Sequence, residues 1–142
     1  MVGFEGQRRS SRVRLAGMEL LGVSFALAGS VNAVREDSGH LRLDHPRERF
    51  ANPRGLRLHA HGRGPFVRLE LPTLPDGPGV YALCEEQGDV LYIGRARDSL
   101  RRRWGRQGYS VIDPRNCFVG GQSTNCRVNS LIADRLGGGI ML

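Results

Sequence analysis

Positions 95–106 carry six arginines and one aspartate, a local charge of +5. The rest of 71–142 holds three arginines and six acidic residues, so positive charge is concentrated in one short stretch. A guanidinium is a planar fork of donors that matches phosphate oxygens in pairs. A cluster of such groups raises the local concentration of a polyanion. Just upstream, Tyr81 and Tyr92 lie in two short apolar runs. On neighbouring antiparallel strands two tyrosines can project from one face and bring two hydroxyls near one point. Equally, the two rings can fill a small core with their hydroxyls reaching solvent. A solvated helix face would also carry an arginine run, but it would not displace the acidic residues elsewhere. The chemistry this pattern suits is recognition of phosphate.

The elements that position these groups are legible. Val80 to Cys84 and Val90 to Gly94 are apolar runs joined by a polar turn with Gly88, which predicts an antiparallel hairpin. Asp98 or Ser99 offers an N-cap, and Leu100 and Trp104 are spaced i, i+4 on one face of a helix. With that face toward the sheet, Arg102 lies on the solvent side while Arg101 and Arg103 flank the buried stripe. Residues 109–121 are irregular, broken by Pro114 and Gly120-Gly121. Ser123 or Thr124 caps a second helix with the apolar face Val128, Leu131, Ile132 and Leu136, ended by Gly137-Gly138-Gly139.

Gly79-Val80-Tyr81, then Tyr92-Ile93-Gly94, then an arginine-rich helix is a specific order of motifs. It resembles the GIY-YIG nuclease superfamily over about residues 77–135. The run Leu91-Tyr92-Ile93-Gly94-Arg95-Ala96-Arg97, continuing to Leu100-Arg101-Arg102-Arg103, looks especially like the nuclease domain of bacterial excision repair. The resemblance implies an α+β fold, a small antiparallel sheet with flanking helices. It implies a metal-dependent endonuclease hydrolysing DNA phosphodiester bonds, of repair or restriction type, with Mg²⁺ or Mn²⁺ as cofactor. Gly79, Val80, Ile93 and Gly94 would frame the motif. The catalytic arginine falls on Arg103, with Arg101 as runner-up, to stabilise charge on the scissile phosphate. Tyr81 and Tyr92 would position or deprotonate water, and Tyr109 would be a third polar aromatic. Arg95, Arg97, Arg101 and Arg106 would bind neighbouring phosphates.

One departure is clear. The family holds its metal through a Glu on a later helix, and this chain has no Glu after Glu86. Asn125 falls at the expected position, and its amide oxygen is a weaker ligand for a hard cation. Gln122 or Asn129 could join it in a site of different chemistry, or the metal could lean on Asp113 and substrate phosphate. The alternative function is therefore a catalytically inactive module that binds nucleic acid, DNA first. A third class is a small interaction domain whose arginines reflect coding bias. Cys117 and Cys126, in the uncharged stretch Asn116 to Cys126, read as small core residues.

The whole chain sets the background. It has 142 residues and a net charge of +7, and all 21 basic residues are arginine. Three cysteines, an odd number without metal-ligand spacing, support neither a disulfide framework nor a zinc knuckle. Residues 1–14 read as a basic, disordered arm. Residues 15–71 form an N-terminal region of unassigned role. Its apolar stretch 15–34 reads as a helix, with a secretory signal ending near Val31-Asn32-Ala33 as the minority reading and a cytoplasmic location as the main one; no membrane partner is expected. Leu56 to His61 alternates like a strand, placing His59 and His61 on one face as exposed histidines. Phe66 to Leu71 alternates too. The Pro-rich segment 72–78 marks the start of the nuclease-like module, 72–142, whose closing strand would begin near Leu142 and could be incomplete.

Overall fold

The computed structural model describes residues 17–136 and 139–142. The arm read at 1–14 and two of the three helix-ending glycines lie outside them. A five-stranded sheet, with every neighbouring pair antiparallel, forms the centre. Its strands are β3 (Ser30–Ala33), β6 (Leu69–Glu70), β7 (Gly79–Glu85), β8 (Val90–Ala96) and β9 (Ile140–Met141), in the spatial order β6-β3-β9-β7-β8. Two hairpin-like pairs flank it: β1 (Gly17–Leu20) with β2 (Val23–Ala26), and β4 (Leu43–Asp44) with β5 (Phe66–Val67). Helix α1 (Leu100–Trp104) follows β8, and helix α2 (Ser123–Arg135) precedes β9. The expected α+β architecture is present. Strands from both sides of the 72–78 segment share the one sheet.

The β7–β8 hairpin forms where the alternating runs place it. Tyr81 pairs with Gly94 and Leu83 with Tyr92, so these four share one face of the sheet. Leu83, Val128, Ile132, Ile140 and Val31 are almost fully buried and belong to one core with Trp104 and Tyr109. A second, smaller core holds Phe66, Ile112, Cys117, Phe118 and Cys126. All three cysteines are buried thiols, and burial pushes each of them up.

Several N-terminal expectations are corrected. The stretch 15–34 is not helical where described; it forms β1, β2 and β3. The turn between β1 and β2 places Leu21 at φ 50° and Gly22 at φ 79°. Two consecutive positive φ values make the tight connection that matches strand twist, and pairing then overrides the helical pattern. Val31 and Ala33 are buried in β3. Residues 56–61 hold only an isolated bridge, Leu58 to Phe118. His59 Nδ1 accepts from the backbone N–H of His61, which curls the chain and takes the two rings off a common strand face.

Phe66 and Val67 also depart from a simple alternation of core and solvent. Both are buried, because they face two different cores. The run breaks at Arg68, so that β5 pairs with β4 and β6 pairs with β3. The helix caps differ in detail. Ser99, not Asp98, caps α1, its hydroxyl accepting from Arg102 N–H at 3.1 Å. Gln122 rather than Ser123 or Thr124 is the N-cap of α2, and it makes no side-chain capping bond. Its own N–H donates to Asn116 Oδ1 at 3.0 Å, which fixes the chain one residue earlier than the hydroxyls would.

Candidate functional site

The hairpin, α1 and the turn after α1 converge on three aromatic rings. Tyr81 comes from β7, Trp104 from the end of α1, and Tyr109 from the turn. Trp104 stands edge-on to both tyrosines, with centroids 5.3 Å from Tyr81 and 4.8 Å from Tyr109. The Tyr81 and Tyr109 hydroxyls are hydrogen-bonded at 2.5 Å. Arg103 Nε donates to the Tyr109 hydroxyl at 3.0 Å, and its guanidinium carbon lies 4.7 Å from the Tyr109 ring centre. A continuous chain of polar contacts therefore runs from Tyr81 through Tyr109 to Arg103. Tyr92 lies beside it, with its ring centre 6.3 Å from that of Tyr81.

The turn that delivers Tyr109 is tight. Gln107 has φ 65°, a left-handed conformation uncommon for a residue with a side chain. A side chain at Gly108 would collide with the Arg103 carbonyl oxygen. That carbonyl accepts from Tyr109 N–H at 3.2 Å. From behind, Asn129 on α2 is fully buried and satisfied. Its Oδ1 accepts from Val67 N–H at 3.0 Å, and its Nδ2 donates to the carbonyls of Val67 and Tyr109, both at 2.8 Å. Asn129 thus positions Tyr109 and holds β5, without facing the cleft.

The electrostatics follow from burial and neighbours. Burial first, then the hydrogen bond to Tyr81, pushes the Tyr109 hydroxyl up to about 12. Burial also raises Tyr92. Both remain protonated at neutral pH and act as hydrogen-bonding groups. Burial works against the Arg103 charge, but the hydroxyls of Tyr81 and Tyr109 outweigh it, so the guanidinium stays cationic.

Arg103 opens onto a cleft of about 460 Å³. Arg95, Arg97, Arg102 and Arg106 share its lining with Asp98, Gln107 and Gln122. The helix wheel separates the arginines only in part. Arg102 is exposed, yet it lines this cleft. Arg101 turns to the other side: its Nε donates to the Leu74 carbonyl at 3.2 Å, and its guanidinium lies 4.0 Å from Asp76. Helix α1 is only five residues long, so the cleft is built by its last turn and the bend beyond it rather than by one helical face. Gln107 and Gly108 were not singled out from sequence. The Gln-Gly pair there is a turn signal that could have marked them. A larger groove of about 640 Å³ lies between the β1–β2 hairpin and β7, but no charged side chain lines it.

The donor set beside Arg103 does not fit a resident divalent cation. Asn125 is fully buried on the first turn of α2. Its Nδ2 donates to the Gln107 carbonyl at 3.3 Å and to Gln122 Oε1 at 3.4 Å, while its Oδ1 has no protein donor. Gln122 Oε1 also accepts from Arg103 Nη1 at 3.3 Å. Asp113 is spent capping the turn at Pro114–Cys117, accepting from Arg115 N–H at 2.9 Å. Among the described residues no group of three or more His, Cys, Asp and Glu comes together. Neutral amide oxygens beside a guanidinium are a poor cage for a hard dication, which prefers charged oxygens.

Among the described residues, no helix is long and apolar enough to cross a membrane. Part of the chain is similar to UvrABC system protein C of several bacteria. The Rhodospirillum rubrum protein is 42% identical over 52 residues, 37% of this chain and 7% of that protein. The Rhizobium meliloti protein is 63% identical over 38 residues, 27% of this chain and 6% of that protein. The Flavobacterium johnsoniae protein is 42% identical over 38 residues, again 27% and 6%. The matched stretch is thus under a tenth of these relatives' own length. No family model matches the chain, and no solved structure matches it.

Proposed function

We propose that this chain is a GIY-YIG-type module that binds DNA and hydrolyses a phosphodiester held at Arg103. The observation that carries the reading is the hydrogen-bonded chain Tyr81–Tyr109–Arg103, whose Arg103 end lines a cleft with four further arginines while Tyr81 lines the uncharged groove beside β7. The partial similarity to UvrABC system protein C supports a repair-type role. The backbone phosphates of DNA meet the outer arginines, and the resulting affinity falls steeply with salt. The scissile phosphate sits against the Arg103 guanidinium, whose direction Tyr109 fixes. As water adds to phosphorus the bond to one sugar oxygen breaks, the water's proton passing through solvent to the departing alkoxide. The charge that gathers on the non-bridging oxygens is stabilised by the fixed cation. Tyr81 acts on the site through Tyr109, whose hydroxyl it holds against Arg103.

The second reading is binding without cleavage. The amide at position 125 favours it, because no carboxylate stands there to take a proton or hold a cation. One experiment separates the two. The protein is incubated with linear, nicked and branched DNA, with and without Mg²⁺ or Mn²⁺, alongside an Arg103→Ala variant. Cleavage by the wild type that the variant lacks supports hydrolysis. Salt-dependent binding with intact DNA supports the second reading. Absence of binding at low salt overturns both.

A further inference from the structure

The cleft beside Arg103 is rich in donors and poor in anions. Five guanidinium groups line it against the single carboxylate of Asp98. A dication entering this space meets an excess of like charge with almost no anionic ligand to offset it. The Asn125 oxygen is buried rather than open to the cleft, and it is a neutral ligand at best. The donor end of the same amide points at Gln107 and Gln122, and the hydrogen bonds it makes there fix that orientation. Gln122 Oε1, the acceptor on Arg103 Nη1, is already shared between Arg103 and Asn125.

We propose that this cleft is an anion cradle that holds a nucleic-acid phosphate without a resident divalent ion, Arg103 and Gln122 together taking the phosphate oxygens. The inference rests on the nucleic-acid reading above and specifies how that site is built. Gln122 is exposed, and its carboxamide carries two N–H donors in addition to the oxygen that now accepts from Arg103. An arriving phosphate oxygen replaces Gln122 Oε1 on Arg103 Nη1. The freed carboxamide turns its nitrogen to a second phosphate oxygen. Asn125 keeps its bond to the Gln107 carbonyl, so the strained turn that carries Tyr109 stays closed. Gln122 is therefore a placeholder for phosphate in the unliganded protein. Its bond to Arg103 Nη1 holds the guanidinium in place, which lowers the entropy lost on binding.

The test uses the full chain and a fluorescein-labelled duplex oligonucleotide. Anisotropy titrations are run in EDTA and in MgCl₂, with ionic strength equalised by KCl. The expected result is binding in MgCl₂ no tighter than in EDTA, since Mg²⁺ competes with the arginines for DNA phosphates. In parallel, the electron paramagnetic resonance signal of aqueous Mn²⁺ is followed as protein alone is added, and it is expected to stay undiminished. Gln122→Ala is expected to weaken binding several-fold in both buffers and to leave the near-ultraviolet circular dichroism unchanged. Binding that strengthens about tenfold in Mg²⁺, or stoichiometric uptake of Mn²⁺, would overturn the proposal while leaving the nucleic-acid reading intact. Binding by Gln122→Ala equal to wild type would overturn the role of Gln122. No binding in either buffer would remove the nucleic-acid reading itself, and the cradle with it.

Discussion

The Tyr81 ring lies directly over Gly94, its register partner on β8; a β-carbon at position 94 would stand 2.5 Å from the Tyr81 Cζ atom. The glycine of the second motif is thus the space in which the tyrosine of the first motif lies. Gly94→Ala should tilt that ring, break the hydroxyl pair with Tyr109 and cost about 1–3 kcal/mol by overpacking. Urea unfolding of wild type and variant measures the cost. A variant as stable as wild type, with unchanged DNA binding, would show that Tyr81 does not depend on this space.

The arginines should separate by position. Neutralising Arg102, Arg103 and Arg106 together should flatten the plot of log affinity against log salt, by about 0.9 for each lost contact on duplex DNA. Neutralising Arg101, which is engaged with Leu74 and Asp76 on the other side of α1, should leave the slope unchanged. Equal effects of the two changes would mean that the cleft is not the binding surface.

Much of this site was legible because its signals are local. Tyr81, Gly94 and Tyr92 sit on a hairpin whose alternation sets their common face, and the spacing of Leu100 and Trp104 puts Arg101 and Arg103 on the flanks of α1, between which the family resemblance selects Arg103. What escaped depends on contacts remote in sequence. Arg101 and Arg102 exchange roles because the 72–77 segment, with Leu74 and Asp76, packs beside α1 and claims the first of them. Asn129 reads as a possible companion of Asn125 in the site, yet its partners are Val67 and Tyr109, which no periodicity links to it. The N-terminal strands were hidden for a related reason. Residues 17–33 are apolar enough for a helix, and only pairing with each other and with β6 and β9 decides for strands.

Asn129→Ala should be among the most damaging single changes outside the cleft. It removes the partners of the Val67 N–H and of two carbonyls in a fully buried place. Leaving these groups unsatisfied should cost at least about 2 kcal/mol. Chemical denaturation gives the number, and a loss below about 0.5 kcal/mol would show that water or rearrangement replaces the amide.

Asn125→Asp, a nearly isosteric change, should destabilise the protein at neutral pH. The new carboxylate would face the Gln107 carbonyl and Gln122 Oε1 without the donor that now joins them. Its melting temperature should rise toward that of wild type as the carboxyl is protonated at low pH. A variant that instead gains stability on adding Mg²⁺ would show that one carboxylate suffices to build a cation site.

High pH should report on Tyr109. Its folded value is pushed up to about 12 from an ordinary value of 10.0, so the folded state keeps a proton that the unfolded chain gives up. The associated stability is complete below about pH 10 and is lost as pH rises toward 12, with Tyr92 adding in the same direction. Titration of tyrosinate absorbance should show a late component that Tyr109→Phe removes.

The place of β9 has a consequence for how the chain is made. Ile140 and Met141 lie between β3 and β7, and Val31 pairs with Ile140 across nearly the whole described sequence. On a ribosome the β3–β6 pair and the β7–β8 hairpin emerge first, each with one open edge where β9 will insert. Closing such distant pairs is slow, and open edges invite pairing with other chains. The nascent protein therefore carries two sticky sheet fragments until Ile140 and Met141 leave the exit tunnel. Its yield in cells should depend on chaperones that cover those edges more than on the stability of the finished fold.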